Sequence, residues 1–193
     1  MFTGIIESLG RVVSIGKEGT NRHIQIESDI SHELKVDQSL SHDGVCLTVT
    51  EVSGNRHWIT AVDETLSRTS VGNWREGRLV NLERSMKAND RFDGHIVQGH
   101  VDQTGVCISI DDQDGSWHVK FKYEPHHQVL VEKGSVCING VSLTCFDCDK
   151  DTFSVAIVPY TFNHTNFQRI TAGQKVNLEF DILGKYVKKL LGK

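Results

Sequence analysis

The sequence predicts an all-β chain made of two tandem copies of one domain, each a small antiparallel barrel or sandwich, followed by a short amphipathic helix. Three observations carry this. The chain repeats itself at about half its length. Short runs rich in Val, Ile and Thr, separated by turn residues, fill each copy. Helical spacing of apolar residues is confined to the C-terminal end.

The repeat fixes the domain count. Gly44-Val45-Cys46-Leu47-Thr48 returns as Gly140-Val141-Ser142-Leu143-Thr144, 96 residues later. At that offset Thr65 meets Thr161, Thr69 meets Thr165 and Gly77 meets Gly173. Val80-Asn81-Leu82-Glu83 meets Val176-Asn177-Leu178-Glu179. From Gly44 to Glu83, 12 of 40 positions are identical without a gap, too many for chance. Nearer the start the offset is 95, and Thr3-Gly4-Ile5-Ile6-Glu7 aligns with Gln98-Gly99-His100-Val101-Asp102. The expected domains are residues 1–96 and 97–183, with a tail at 184–193. The polar stretch Lys87-Ala88-Asn89-Asp90 joins the copies.

In the first copy strands are expected at 11–15, 23–26, 47–52, 57–62 and 79–83. Their β-branched residues alternate with polar ones, which suits a sheet with one dry and one wet face. Ser53-Gly54-Asn55 and Glu76-Gly77 mark turns between them. At the tail, Ile182, Leu183, Tyr186, Val187, Leu190 and Leu191 recur at helical spacing among Lys185, Lys188 and Lys189. The first copy has no equivalent helix. This one either drives oligomerisation or packs back on its own barrel.

Composition excludes several classes. With 38% hydrophobic and 24% charged residues, the chain is neither disordered nor fibrous. No apolar run approaches the ~20 residues of a membrane helix. Met1–Glu7 lacks the basic and apolar regions of a signal peptide. A net charge of −4 without a basic stripe leaves nucleic-acid binding no footing. Five cysteines without an export signal read as reduced thiols of a cytoplasmic protein. Cys145-Phe146-Asp147-Cys148 has CxxC spacing but no second pair, so no metal site is expected.

Positions where the copies disagree are where asymmetric chemistry would sit. Cys46 stands opposite Ser142, Ile5 opposite His100, and Ser85 opposite Asp181. Thiol, hydroxyl, imidazole and carboxylate are the usual tools of proton transfer and addition. Each also has an ordinary reading, as a small core side chain, a loop hydroxyl or a strand-end histidine.

These residues lie within a wider pattern. Met1–Glu7, Gly44–Thr50, Glu64–Leu66, Gly94–Val101, Asn139–Thr144 and Asn177–Tyr186 occur in order over essentially the whole chain. Together they resemble the riboflavin synthase family of the alpha-chain, lumazine-binding-repeat type. The resemblance implies two similar six-stranded Greek-key barrels and a C-terminal helix, assembled through that helix as a homotrimer. It implies a dismutation of two molecules of 6,7-dimethyl-8-ribityllumazine. A four-carbon unit passes from one to the other, giving riboflavin and 5-amino-6-(ribitylamino)uracil, without cofactor or metal. The active site is expected between the first barrel of one subunit and the second barrel of another. Two identical substrates suit two related pockets, and their different roles require pockets of different chemistry. Lumazine synthase is a further partner the family suggests; nucleic acid and membrane are not.

By the same resemblance His100 is the base that takes a proton from the acidic C7 methyl group. Cys46, Ser142 and Thr144 deliver or orient a nucleophile at C7, and Asp181 orients a polar partner. Substrate contacts carry over to Gly4, Ile5, Ile6, Cys46, Leu47, Thr48, Thr60, Ala61, Val62, Asp63, Glu64 and Thr65 in the first copy. In the second they carry over to Gly99, His100, Val101, Ser142, Leu143, Thr144, Ala156, Ile157, Val158, Pro159, Tyr160 and Thr161. All are expected on strand ends and loops. Phe2 and Ser39 are expected to line the site, and Lys133 to reach the ligand of a neighbouring subunit. Asp43, opposite Asn139, and Tyr160, opposite Glu64, depart from the family pattern and bear on local ligand contacts. Antenna proteins of luminous bacteria share the two-copy fold, hold a lumazine or flavin without turning it over, and lose the reactive residues. Retention of Cys46, His100, Ser142 and Thr144 favours the enzyme.

Overall fold

Strand alternation sorts each domain into an inside and an outside. Along β4 (Val45–Ser53), Val45, Leu47 and Val49 are buried while Thr48 and Thr50 face out. The computed structural model describes residues 1–125 and 130–192. The other first-copy strands are β1 (Ser8–Glu18), β2 (Asn21–Glu27), β3 (Ser39–His42), β5 (Arg56–Ala61) and β6 (Leu79–Arg84). They close into an antiparallel barrel in the order β1-β2-β5-β4-β3-β6. The second copy supplies β7 (Gln103–Asp112), β8 (Trp117–Lys122), β9 (Ser135–Ile138), β10 (Val141–Phe146), β11 (Thr152–Ile157) and β12 (Lys175–Phe180). These close in the same Greek-key circuit, β7-β8-β11-β10-β9-β12.

Each barrel has its own core. Ile24, Ile26, Leu40, Val49, Ile59, Trp74 and Leu82 fill the first. The second is more aromatic, with Phe121, Phe153, Phe167 and Phe180 among its buried residues. β3 and β9, at four residues each, were not legible as strands. Nor were two short helices, α1 (Asp63–Arg68) and α2 (Pro159–His164). The expectation of loops at 63–65 and 159–161 is corrected accordingly. Asp63 and Glu64 sit at the positive end of α1, and Pro159 supplies a pre-set helical φ to α2. The terminal helix α3 (Ile182–Leu190) starts earlier than residue 184, because the Asp181 carboxylate caps it by accepting from the Leu183 N–H at 2.9 Å. The tail's last residue, Lys193, lies outside the described residues. Among the described residues, no helix is long and apolar enough to cross a membrane.

The two barrels are stitched by their leading segments, which cross over. Phe2 and Val97 exchange backbone hydrogen bonds of 2.7 and 3.1 Å at the crossing. Ile6 packs against the second core and Val101 against the first. Behind the crossing lies a pseudo-symmetric amide network. The Asn81 side chain donates to the Asn139 carbonyl (2.9 Å), and that of Asn177 to the Asp43 carbonyl (2.8 Å). Gly44 and Gly140 meet there with φ of 77° and 82°, and a Cβ on Gly44 would lie 2.7 Å from the Gly140 nitrogen.

Asp43 belongs to this seam, which corrects its expected bearing on ligand contacts. It is fully buried. Its Oδ1 accepts from the Asn81 N–H and the Asn166 amide, both at 2.8 Å, and its Oδ2 from Arg78 at 3.2 Å. The copy-two positions hold Asn139 and Gln174, so charge on one side replaces amide on the other.

Candidate active site

β4 and β10 present matching outward faces. In the first barrel Cys46 and Thr48 lie across from Ser41 and Ser39; in the second, Ser142 and Thr144 lie across from Cys137 and Ser135. The ladder between β4 and β5 ends at Val49–Ile59, and that between β10 and β11 at Cys145–Val155. Beyond those pairs the strands diverge. Thr48 and Thr60 leave the ladder as neighbours in one barrel, Thr144 and Ala156 in the other. β5 then runs through Ala61, fully buried, into exposed Val62 and α1, which carries Asp63, Glu64 and Thr65. β11 runs through buried Ile157 into exposed Val158 and α2, which carries Pro159, Tyr160 and Thr161. Tyr160 stacks on His164 at 4.1 Å and is largely exposed.

Each leading segment is anchored by a buried glutamate of its own copy and laid against a strand of the other. Glu83 accepts from the N–H (2.6 Å) and hydroxyl (2.8 Å) of Thr3 and from the Gly4 N–H (3.0 Å). Glu179 accepts from the N–H groups of Gln98, Gly99 and His100 at 2.6, 2.9 and 3.0 Å. Burial pushes Glu179 up to about 7, against the pull of those donors and of Lys185. Ser142 N–H then donates to the Gly4 carbonyl, and Cys46 N–H to the Gly99 carbonyl, both at 2.8 Å.

The expected residues are therefore regrouped. Gly4, Ile5 and Ile6 lie with Ser142, not with Cys46. Gly99, His100 and Val101 lie with Cys46, not with Ser142. His100 is exposed there, held by its backbone. Phe2 is fully buried, packed with Val97, Cys137 and half-buried Cys46. Leu47 faces the first core and Leu143 packs against the second. Lys133, at φ 63°, places its ammonium 5.2 Å over the Phe146 ring, beside Thr144's face of β10. Asp181 is occupied as the α3 cap.

Two residues were missed. His95 is buried, and its Nδ1 lies 2.6 Å from the Ser142 hydroxyl; its Nε2 has no hydrogen-bond partner among the described residues. Burial lowers its pKa, with the Asp181 charge pulling the other way. At an offset of 95 it falls opposite no residue of the first copy, so comparing the copies gave no signal. Ser135, the counterpart of Ser39, was also missed, although the 96-residue offset contains it.

The lumazine binding domain family matches the chain twice, at residues 3–85 and 98–181. A riboflavin synthase of Actinobacillus pleuropneumoniae is 42% identical over 193 residues, covering 99% of this chain and 90% of that protein. One from Bacillus subtilis is 40% identical, covering 100% and 91%. Among solved structures, LumP complexed with riboflavin shares the fold at a TM-score of 0.86 and 22% identity, covering 93% of this chain and 99% of that one. With two matched domains and full-length similarity to curated synthases, the chain belongs to the riboflavin synthase family.

Proposed function

We infer that this chain is a riboflavin synthase that uses its two diverging-strand clefts, one per barrel, to hold the two lumazines of the dismutation. One observation carries the site assignment: the clefts share a geometry and differ in chemistry. Cys46 and Thr48 adjoin Gly99 and His100 in one; Ser142 and Thr144 adjoin Gly4, Ile5 and His95 in the other. Where the ladders end, backbone groups facing the gap lose their strand partner and can pair with the pteridine edge. Exposed Val62 and Val158 offer apolar faces at the mouths.

The donor lumazine loses a proton from its C7 methyl group, and the base assigned to it is His100, exposed on the segment laid against Cys46. The acceptor needs a nucleophile at C7. The Ser142 hydroxyl lies 2.6 Å from Nδ1 of His95, which burial keeps neutral, and in the tautomer with Nδ1 unprotonated that nitrogen takes the hydroxyl hydrogen and activates the oxygen. The Asp181 carboxylate favours the imidazolium that forms. Thr48 and Thr144 orient ring or ribityl groups.

The clefts complete one another across subunits of a homotrimer built on α3. Leu183, Val187, Leu190 and Leu191 are 56–84% exposed in the lone chain, more apolar helix surface than a monomer usually leaves bare. Val131, Leu183, Val187 and Leu191 line a groove of about 640 Å³ beside that helix. Cytoplasmic location and association with lumazine synthase belong to the same reading; co-sedimentation with that enzyme checks the second. The direct test is to mix the protein with 6,7-dimethyl-8-ribityllumazine alone and follow absorbance. Riboflavin and the diaminouracil product in equal amounts are expected. No riboflavin refutes the reading.

A further inference from the structure

A polar cavity lies on the seam between the barrels, apart from both clefts. It encloses about 350 Å³ and is lined by Arg11, Arg78 and Leu79 of the first barrel and Asn166, Arg169 and Gln174 of the second. No acidic side chain lines it. Asp43 lies behind it and pairs with Arg78 from the core side, where both of its oxygens are engaged. Arg78 still has a buried Nε without a hydrogen-bond partner among the described residues. Arg11 has one weak bond, to the Gly77 carbonyl at 3.4 Å. Arg169 has no hydrogen bond or ion pair among the described residues. Three guanidinium groups thus share one cavity with a single compensating carboxylate, on a chain whose net charge is −4.

The internal repeat supplies a control. At the corresponding positions Arg11 meets Val106, Arg78 meets Gln174 and Arg169 meets Asn73. The second barrel therefore closes without arginine at these places. Gathering three guanidinium groups around one cavity without an acidic side chain in its lining is unfavourable unless something negative offsets it. Guanidinium groups present paired donors at the spacing of tetrahedral oxyanions, and Gln174 adds an amide that can donate to the same oxygens.

We propose that this cavity binds a phosphate group, held by Arg11, Arg78 and Arg169, which bridges the two barrels. The volume accommodates inorganic phosphate or the phosphate end of a small phosphomonoester. Bound there, it stabilises the folded chain by mass action and does not enter the clefts.

The test titrates the intact protein with inorganic phosphate, and separately with ribose 5-phosphate, reading thermal midpoint and heat of binding against sodium chloride at matched ionic strength. Saturable binding and a rising midpoint are expected with phosphate and not with chloride. In Arg11→Gln/Arg169→Gln, two exposed positions whose change should leave folding intact, the dissociation constant should rise at least tenfold. Tighter binding of ribose 5-phosphate than of phosphate would assign an organic phosphate, and the reverse order a free one; both uphold the site. A midpoint shift equal in wild type and double variant, or equal with chloride, overturns it.

Discussion

A buried polar chain runs through the first barrel and has no counterpart in the second. Its direction can be worked out. His42 Nδ1 lies 3.0 Å from the Leu40 carbonyl, which can only accept, so that nitrogen carries the hydrogen. His42 Nε2 is then an acceptor, and His57 Nε2, 3.0 Å away, must donate to it. His57 Nδ1 in turn accepts from the Ser31 hydroxyl at 2.8 Å, which accepts from Ser28 at 2.8 Å. Every hydrogen is assigned and both imidazoles are neutral. A proton added to His42 Nε2 would face the His57 Nε2–H, and one added to His57 Nδ1 would force both serine hydroxyls to reverse and place a charge in the core. Burial lowers His57 from 6.5 to about 4 and His42 well below its usual value. The unfolded chain accepts these protons near pH 6.5 and the folded chain does not. The term is therefore fully present above that pH and is lost as pH falls toward 4. For His57 alone the loss is about 3 kcal/mol, at roughly 1.4 kcal/mol per pH unit.

The perturbation is His42→Ile with His57→Phe, the side chains that Ile138 and Phe153 supply in the second barrel. Urea unfolding of both proteins would be compared from pH 7.5 to 4.5. Glu83, Glu179 and Asp43 titrate with raised values and act in the opposite sense, but they are common to both proteins and cancel in the difference. The variant should gain on wild type by at least about 2.5 kcal/mol as pH falls across the window, which is the share of His57 down to pH 4.5, with His42 adding to it in the same sense. Stability curves that stay parallel would refute the neutral, directed chain. His57→Phe alone is a poorer test, because it leaves the buried His42 Nε2 without a donor, at a cost of ~1–3 kcal/mol.

Four further outcomes are expected. His100→Ala should slow turnover strongly while weakening lumazine binding less, by single-turnover absorbance and by fluorescence titration; equal losses would make His100 a binding residue. His95→Gln should lower kcat about 100-fold, as for loss of a general base, with the substrate dissociation constant little changed. Deletion after Gly184 should shift the assembly toward monomer in sedimentation, and an unchanged trimer would remove α3 from that role. Gly44→Ala should cost more than ~2 kcal/mol by chemical denaturation, since its φ is 77° and the added methyl would strike the Gly140 backbone.

Five of the six strands of the first barrel were legible because β-branched residues alternate with polar ones along strands of six or more residues. β3, at four residues, offers too short a pattern, and α1 and α2, at six residues each, too few turns. Cys46 and Ser142 stood out because the copies differ there. His95 did not, since it pairs with no position in the first copy. Asp43 also stood out as a difference, but its reason lay in Arg78 and Asn166, 35 and 123 residues away along the chain.

The sequence by itself determined the two-copy plan, the strand chemistry of each barrel, the helical tail and the family, because all of these are written in local pattern or in spacing along the chain. The tertiary structure decided which residues share a cleft. Glu83 and Glu179 hold each leading segment, and Gly4 and Gly99 carry it across to the opposite barrel. That exchange depends on backbone hydrogen bonds between residues 53 to 138 positions apart, and no periodicity or motif within one copy encodes it.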